Sequence, residues 1–168
     1  MNKNKILISA CLLGNKVRYD GRDNLIDDPQ LRLWQQEGRL VPICPEVEGG
    51  LPIPRAPAEI QCKFPLLITS ASGDDLTPQF LDGAERTLNR ALESGCCCAL
   101  LKSRSPSCGN LEVYDGQFNG TLKTGSGATA DELVRNGIPV FNERQMDQLS
   151  EFMAQRLAPQ AALTPDVN

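Results

Sequence analysis

The sequence predicts an α/β fold: a single domain with a mostly parallel sheet flanked by helices and a site at the carboxyl ends of the strands. Short apolar runs alternate with segments of helical periodicity, which is the pattern of successive βα units. The run that leads from Cys96 to Lys102 is continuously apolar, as in a parallel strand covered on both faces. Isolated cysteines follow such runs, at the sheet edge where this class of fold binds ligands.

The first half of the chain contains two predicted strands that each lead into a cysteine. They are Lys5 to Ala10 and Leu40 to Ile43. Between them, Asp27-Asp28-Pro29 marks a helix start, with an acidic N-cap and proline at the first helical position, and Gly38 marks its end. The stretch 49–59 is too rich in proline and glycine for regular structure. Long loops of this kind are more often functional than idle.

The second half contains the best-defined helix, which begins at Thr77 and ends at Gly95. Its apolar residues recur at i, i+3 and i+4 spacing: Leu81, Ala84, Leu88, Ala91 and Leu92. The other predicted elements are a strand over 64–70, the strand that begins at Cys96, a hairpin or tight loop over 114–120, a helix over 128–136, a strand over 139–141 and a helix from 142 to about 157. One domain is therefore expected over 1–157, followed by a disordered tail over 158–168.

The composition excludes several classes of function. The 168-residue chain has 17 basic and 21 acidic side chains and no basic stripe, so binding to a nucleic-acid polymer is not expected. No run approaches the roughly 20 apolar residues of a membrane span. The N-terminal apolar run, Ile6 to Ala10, is shorter than the ~7–15 residues of a signal-peptide core, so we expect a cytoplasmic protein.

The number of cysteines and the absence of histidine limit the chemistry that the protein can perform. There are seven of them and no histidine, and an odd number in a reducing compartment makes a disulfide framework improbable. The absence of histidine removes Cys/His zinc patterns and every Cys-His nucleophile pair. Acid–base chemistry must therefore come from carboxylates, tyrosine, lysine or cysteine.

Three isolated cysteines are candidates for a shared site. Cys11 and Cys44 follow predicted strands, and Cys108 lies in the loop after the strand that begins at Cys96. Soft thiolate ligands select zinc, copper(I) or iron–sulfur clusters, and a cluster held by three cysteines leaves one iron open. The alternative from the residues alone is that these cysteines are small core side chains.

The remaining cysteines are assigned to the structure of the domain. Cys96, Cys97 and Cys98 are adjacent, and successive strand residues point to opposite faces, so they are expected to pack in the core and not to share one small site. Cys62 is expected to be a structural or incidental thiol.

Several short motifs, in a fixed order along the chain, carry a family resemblance. They are Ser9-Ala10-Cys11-Leu12-Leu13-Gly14, Arg18-Tyr19-Asp20-Gly21, Cys44-Pro45-Glu46-Val47, Gly49-Gly50-Leu51, Pro54-Arg55, Ala58-Glu59-Ile60, Ser105-Pro106-Ser107-Cys108-Gly109 and Tyr114-Asp115-Gly116. With these motifs the chain, from about residue 5 to 143, resembles the thiouracil desulfidase family. Many family members carry a further cysteine where this chain has Val17. That thiol therefore cannot be an essential ligand here, although substrate preference can differ.

The resemblance implies a 4Fe–4S cluster on Cys11, Cys44 and Cys108, with one open iron, and catalytic roles for Glu46 and Ser105. The implied reaction converts a thiolated pyrimidine base, 2- or 4-thiouracil, to uracil without net redox change. We expect the substrate sulfur to bind the open iron and water to replace it. Glu46 would activate the water, and Ser105 would hydrogen-bond the ring or the substrate oxygen. The expected partner is a small thiolated nucleobase.

Several alternatives stay open at this stage. From the residues alone, Glu46 is equally well a solvated acid at a loop edge, and Ser105 a turn residue before a proline. Arg18, Asp20 and Arg55 either orient the substrate or pair with each other to pin loops. Two other classes of function remain: a sulfur-transfer enzyme that uses a reactive cysteine without a cluster, and a sensor in which a cluster is regulatory.

Overall fold

The computed structural model describes residues 4–157. Its helices and strands are, in chain order, β1 (Lys5–Ser9), a 3₁₀ turn (Ala10–Leu13), α1 (Pro29–Gln36), β2 (Leu40–Ile43), α2 (Pro45–Glu48), β3 (Ala58–Lys63), β4 (Leu66–Ser70), α3 (Thr77–Ser94), β5 (Cys96–Leu101), β6 (Glu112–Tyr114), β7 (Leu122–Thr124), α4 (Ala128–Arg135), β8 (Val140–Asn142) and α5 (Met146–Leu157). The tail predicted over 158–168 lies outside the described residues.

The central sheet is parallel throughout and has the strand order β2-β1-β5-β8. The chain first builds from β1 to β2 on one side, then returns to place β5 and β8 on the other side of β1. The strand order therefore reverses next to β1, and such a switch point opens a crevice beyond the carboxyl ends of the strands. The predicted fold class, a single α/β domain with a mostly parallel sheet flanked by helices, is confirmed.

Alternate residues of the central strands cover opposite faces of the sheet, as the period of two requires. On one face, Ile6 and Ile8 of β1 pack with Trp34 of α1 and Met153 of α5. On the other face, Leu7 packs with residues of α3 and α4, among them Leu88, Ala91 and Leu133. Every core residue named here is at most 8% exposed, so helices cover both faces of the sheet.

Two antiparallel hairpins, β3–β4 and β6–β7, lie outside the central sheet. The predicted hairpin near 114–120 is confirmed, because β6 and β7 flank that turn. The strand β3 was not predicted, and it begins at Ala58, inside the stretch expected to lack regular structure. The apolar pattern of this strand is interrupted by an acid at an inward position. Glu59 is only 9% exposed, and its Oε1 accepts hydrogen bonds from the backbone N–H groups of Gly116 and Phe118, at 3.0 and 3.1 Å.

A glycine contact seats the short helix α2 directly on α3. A Cβ added at Gly49 would lie 1.9 Å from the Gln79 carbonyl oxygen, and one added at Gly83 would lie 2.1 Å from the Pro45 carbonyl oxygen. Only residues without a side chain permit this backbone-to-backbone approach. The contact fixes the turn that carries Cys44 and Glu46.

The last helix starts later than the sequence predicts. The side chain of Asn142 accepts a hydrogen bond from the Arg144 N–H, but this closes a turn that precedes the helix, and α5 begins at Met146. Among residues 4–157, no helix combines the length and the apolar character that a bilayer crossing requires.

Candidate functional site

Three separate loops bring Cys11, Cys44 and Cys108 to the carboxyl edge of the sheet. Cys11 lies in the 3₁₀ turn after β1, Cys44 is the N-cap of α2 after β2, and Cys108 lies in the loop after β5. Cys11 and Cys108 are 8% and 5% exposed, and Cys44 is half-buried. All three sequence-predicted thiols therefore surround the switch-point crevice.

The three thiols are close enough for a charge on one to influence the pKa of another. Burial raises the pKa of Cys11, and a charge on Cys44 raises it further. Burial also raises the pKa of Cys108 strongly, with additional contributions from Glu46, Cys44 and Cys11. Burial raises the pKa of Cys44 too, and the neighbouring carboxylate of Glu46 adds to this. The site concentrates potential negative charge, which Lys102 and Arg55 offset in part and a bound cation would offset further.

Polar groups contact the sulfur atoms. The Asn24 side-chain amide donates to Cys11 Sγ at 3.4 Å, and the Ser9 hydroxyl donates to Cys108 Sγ at 3.6 Å. The backbone of Val47 lowers the pKa of Cys44. Hydrogen bonds of this kind favour the thiolate form. Neither side-chain donor was predicted from the sequence. Ser9 lies two residues before a cysteine, whereas nothing in the local sequence marks Asn24.

Glu46 lies at the rim of the thiol group and is held at both carboxylate oxygens. Arg55 Nε donates to Oε2 at 2.8 Å, and the Ser105 hydroxyl donates to Oε1 at 3.3 Å. The Arg55 and Glu46 side chains are 7% and 16% exposed, so the ion pair is shielded from water. Arg55 also donates to the Val17 carbonyl oxygen at 3.0 Å, which ties the 17–24 loop to the site.

The Ser105 hydroxyl is oriented by its own loop. Its oxygen accepts the backbone N–H groups of Ser107 and Cys108, both at 3.1 Å, so its proton is left to point toward Glu46. The loop is held in turn by the start of α4, where the N–H groups of Ala128 and Thr129 donate at 2.9 Å to the carbonyl oxygens of Pro106 and Ser107. Two residues far apart in sequence, Glu46 and Ser105, thus form one hydrogen-bonded pair.

The loops around the site are pinned by further ion pairs. Arg18 lies 3.2 Å from Asp20 and donates to the Asn24 side chain at 3.1 Å, so both residues support the loop that contacts Cys11. Lys102 lies 2.8 Å from Glu143, near Cys11. Although burial raises the pKa of Glu143, hydrogen bonds from Lys102 and Ser103 hold it below its ordinary value.

The spacing of the thiols bears on the kind of metal. Between residues 4 and 157, no three histidine, cysteine, aspartate or glutamate side chains are packed closely enough to bind one metal ion. Cys11, Cys44 and Cys108 share one site without surrounding a single-ion position. This arrangement does not fit a mononuclear zinc site, in which all ligands meet at one atom.

The structure of the strand β5 differs from the prediction at Cys97 and Cys98. Lys5 pairs with Cys96 and Ile6 with Cys98, so Cys97 is an extra residue in a β-bulge. The bulge breaks the alternation of side chains and brings the Cys97 and Cys98 sulfurs to 3.9 Å from each other. The expectation that adjacent residues of this run point to opposite faces was wrong for this pair. Cys62 is exposed on β3.

Comparisons with known proteins agree with this geometry. Residues 6–145 match the model of a family described as 2-thiouracil desulfurase. A Bacillus subtilis (strain 168) protein, uncharacterized protein YbbK, is 37% identical over 151 residues, which cover 86% of this chain and 99% of the relative. A solved structure, the [4Fe-4S]-dependent thiouracil desulfidase TudS, is 45% identical with a TM-score of 0.87, over 90% of this chain and 99% of that one. This chain therefore belongs to the 2-thiouracil desulfurase family.

Proposed function

We propose that this protein converts a thiolated pyrimidine base, 2- or 4-thiouracil, to uracil with a 4Fe–4S cluster held by Cys11, Cys44 and Cys108. The observation that carries the proposal is the convergence of two buried thiols and a half-buried one with the Glu46–Ser105 pair at the switch point of the sheet. Membership of the family and the similarity to a [4Fe-4S]-dependent thiouracil desulfidase support it.

The donor set fits an iron–sulfur cluster. Three soft thiolates are the ligands that such clusters take, and each would bind a different iron, so they need not meet at one point. The hydrogen bonds from Asn24 and Ser9 to the sulfurs would stabilise the thiolates. When bound, the cluster would supply one iron without a protein ligand, a Lewis acid suited to the soft sulfur of a thiocarbonyl group.

The residues of the chain would supply the proton chemistry. Replacing the carbon–sulfur bond by a carbon–oxygen bond consumes one water and releases sulfide with two protons, without any oxidant or reductant. Glu46, fixed by Arg55, is placed to accept a proton from the attacking water. The Ser105 oxygen accepts two backbone N–H groups, and its one proton is donated to Glu46. When substrate binds, the hydroxyl would turn that proton from Glu46 to the oxygen or ring of the substrate. The Arg55–Glu46–Ser105 chain orients the base before the substrate arrives.

A cysteine nucleophile without a cluster is less well supported. Reactive cysteines have lowered pKa values and partly exposed sulfurs, whereas burial raises the pKa of Cys11, Cys44 and Cys108. A small substrate is also favoured over a nucleic-acid polymer, because the chain carries a net charge of −4.

The test is anaerobic reconstitution with iron and sulfide, followed by visible spectroscopy and an assay of uracil release from 2-thiouracil and 4-thiouracil. We expect a brown protein that turns over, and loss of both properties in Cys11→Ala, Cys44→Ala and Cys108→Ala. Cys62→Ala, at an exposed thiol outside the site, is the matched control and should retain both. A coloured protein that releases no uracil from either base would contradict the enzymatic function and favour a sensor. A colourless protein would contradict the cluster itself.

A further inference from the structure

A second group of sulfur atoms lies at the opposite end of the same sheet. Cys97 Sγ and Cys98 Sγ are 3.9 Å apart, and Met153 Sδ of α5 is 3.7 Å from the first and 3.8 Å from the second. The three atoms form an almost equilateral triangle, which we call the sulfur triangle. It lies at the amino end of β5, whereas the candidate site lies beyond the carboxyl end, so the two groups are separated by the length of the strand.

The triangle depends on the β-bulge. In a regular strand, Cys97 and Cys98 would point to opposite faces, but the extra residue between the pairs Lys5–Cys96 and Ile6–Cys98 turns both sulfurs toward α5. Cys98 and Met153 are 0% and 1% exposed, whereas Cys97 is half-buried. One corner of the triangle is therefore reachable from solvent, and the other two are enclosed by the apolar core.

We propose that Cys97, Cys98 and Met153 bind a soft monovalent cation, Cu(I), in a trigonal site. A cation at the centre of a triangle with these edges would lie about 2.2 Å from each sulfur, close to the ~2.3 Å of a zinc–thiolate bond. Two thiolates and a thioether form a soft donor set that selects Cu(I) over harder ions. Within the described residues no third cysteine, histidine or carboxylate joins the two thiols to complete a zinc site.

The charges around the triangle suit a monovalent ion. The guanidinium of Arg156 lies near Cys97 and would favour a negative charge on its sulfur. Each thiol would release its proton to solvent as the metal binds. Two thiolates, one Cu(I) and Arg156 then sum to zero net charge, so a neutral assembly would face the core.

The experiment is an anaerobic titration of the iron- and sulfide-reconstituted protein with Cu(I), in competition with a chromophoric Cu(I) chelator. Reconstitution fills the thiols of the candidate site, and copper bound there would not respond to changes in the triangle. We expect one Cu(I) per chain, whose affinity falls about a hundredfold or more in Cys97→Ser and about tenfold in Met153→Leu. The control Cys62→Ser, at an exposed thiol outside both sites, should leave the affinity unchanged.

X-ray absorption at the copper edge gives an independent readout of the ligands. We expect three sulfurs at about 2.2 Å in the unaltered protein and two in Met153→Leu. Copper binding that survives Cys97→Ser, or that is lost in Cys62→Ser, overturns the proposal and leaves the triangle as core packing or the ion as an adventitious one. Circular dichroism of each variant, with unchanged spectra, shows that a loss of affinity does not come from unfolding.

Discussion

The two sulfur groups at opposite ends of the sheet are built in different ways. At the carboxyl end, Cys11, Cys44 and Cys108 come from three loops far apart in sequence and lie among polar partners, including Asn24 and Ser9. At the amino end, Cys97 and Cys98 are neighbours in one strand and meet Met153 at the margin of the apolar core, with Arg156 near Cys97.

The difference shows that the position of a cysteine, in a loop or within a strand, limits the chemistry open to its thiol. Thiols in loops can be given hydrogen-bond donors, a carboxylate and an opening to substrate, because the backbone there is free of the sheet ladder. Thiols within a strand are surrounded by core side chains, so they suit binding or packing but not a reaction with a polar substrate. Changes around the loop thiols should therefore alter turnover or stability, whereas a change at a strand thiol should leave turnover intact.

Replacing the carboxylate beside the loop thiols should have the largest effect on turnover. We expect Glu46→Gln to lower kcat by about 10²–10⁴-fold, because the amide cannot accept a proton from water. The visible absorbance of the reconstituted protein should persist, because Glu46 is not proposed as a ligand. Glu48→Gln, two residues further along α2 and exposed, is the control and should retain full turnover. Unchanged kcat in Glu46→Gln would remove the assigned role.

Disturbing the glycine contact between α2 and α3 should destabilise the fold and the site together. In an ordinary helix, Gly→Ala stabilises by up to about 1 kcal/mol. At Gly83 we expect the opposite, a loss of about 2–4 kcal/mol, because the added Cβ would lie 2.1 Å from the Pro45 carbonyl oxygen. Urea unfolding measures the effect, with Glu85→Ala on the exposed face of α3 as the control. A Gly83→Ala variant of unchanged or increased stability would refute the close approach.

Removing the Ser105 hydroxyl, which joins its loop to Glu46, should lower both stability and turnover. Ser105→Ala leaves the Ser107 and Cys108 N–H groups without their acceptor, so we expect a loss of about 1–2 kcal/mol in unfolding free energy. We also expect lower turnover with the cluster absorbance retained. Ser105→Thr keeps the hydroxyl and should recover part of both quantities. Turnover in Ser105→Ala equal to that of the unaltered protein would mean that the hydroxyl has no part in the reaction.

The Glu143–Lys102 ion pair should make the free energy of unfolding depend on pH in the acid range. Because hydrogen bonds from Lys102 and Ser103 hold its pKa below the ordinary 4.5, the pair stabilises the fold fully above that value, and the contribution is lost as the pH falls through the folded-state pKa. Glu143→Gln should therefore cost about 1–3 kcal/mol at pH 7 and reduce the dependence of stability on acid pH. Urea unfolding between pH 3 and 7, with exposed Glu151→Gln as the control, measures both. A parallel pH dependence in the two variants would contradict the assignment.

The smallest expected effect is that of the strand thiol on the desulfidase reaction. Cys97→Ser changes the sulfur triangle at the far end of β5, so we expect turnover of the reconstituted enzyme to stay within about twofold of the original. Steady-state kinetics with 2-thiouracil measure it. A large loss of turnover would show that the two ends of the sheet are coupled and that the strand thiols also influence the reaction.

The sequence by itself determined the fold class, the order of the central strands along the chain and the cysteines that end them. These features depend on local patterns: continuous apolar runs for β1 and β5, helical spacing in α3, and proline and glycine at the helix ends. The motifs also identified the family. The cytoplasmic location and the extent of the domain at its two ends stay predictions.

Only the tertiary structure decided which side chains face one another. The partners of Glu46, namely Arg55 and Ser105, come from different loops, and Asn24 reaches Cys11 because Arg18 holds it there. The strand β3 was missed because its inward Glu59 is satisfied by backbone groups more than fifty residues away. The bulge at Cys97 arises from pairing with β1 and leaves no mark in the local sequence. Such contacts depend on packing between distant segments, whereas local sequence fixes only the elements that carry them.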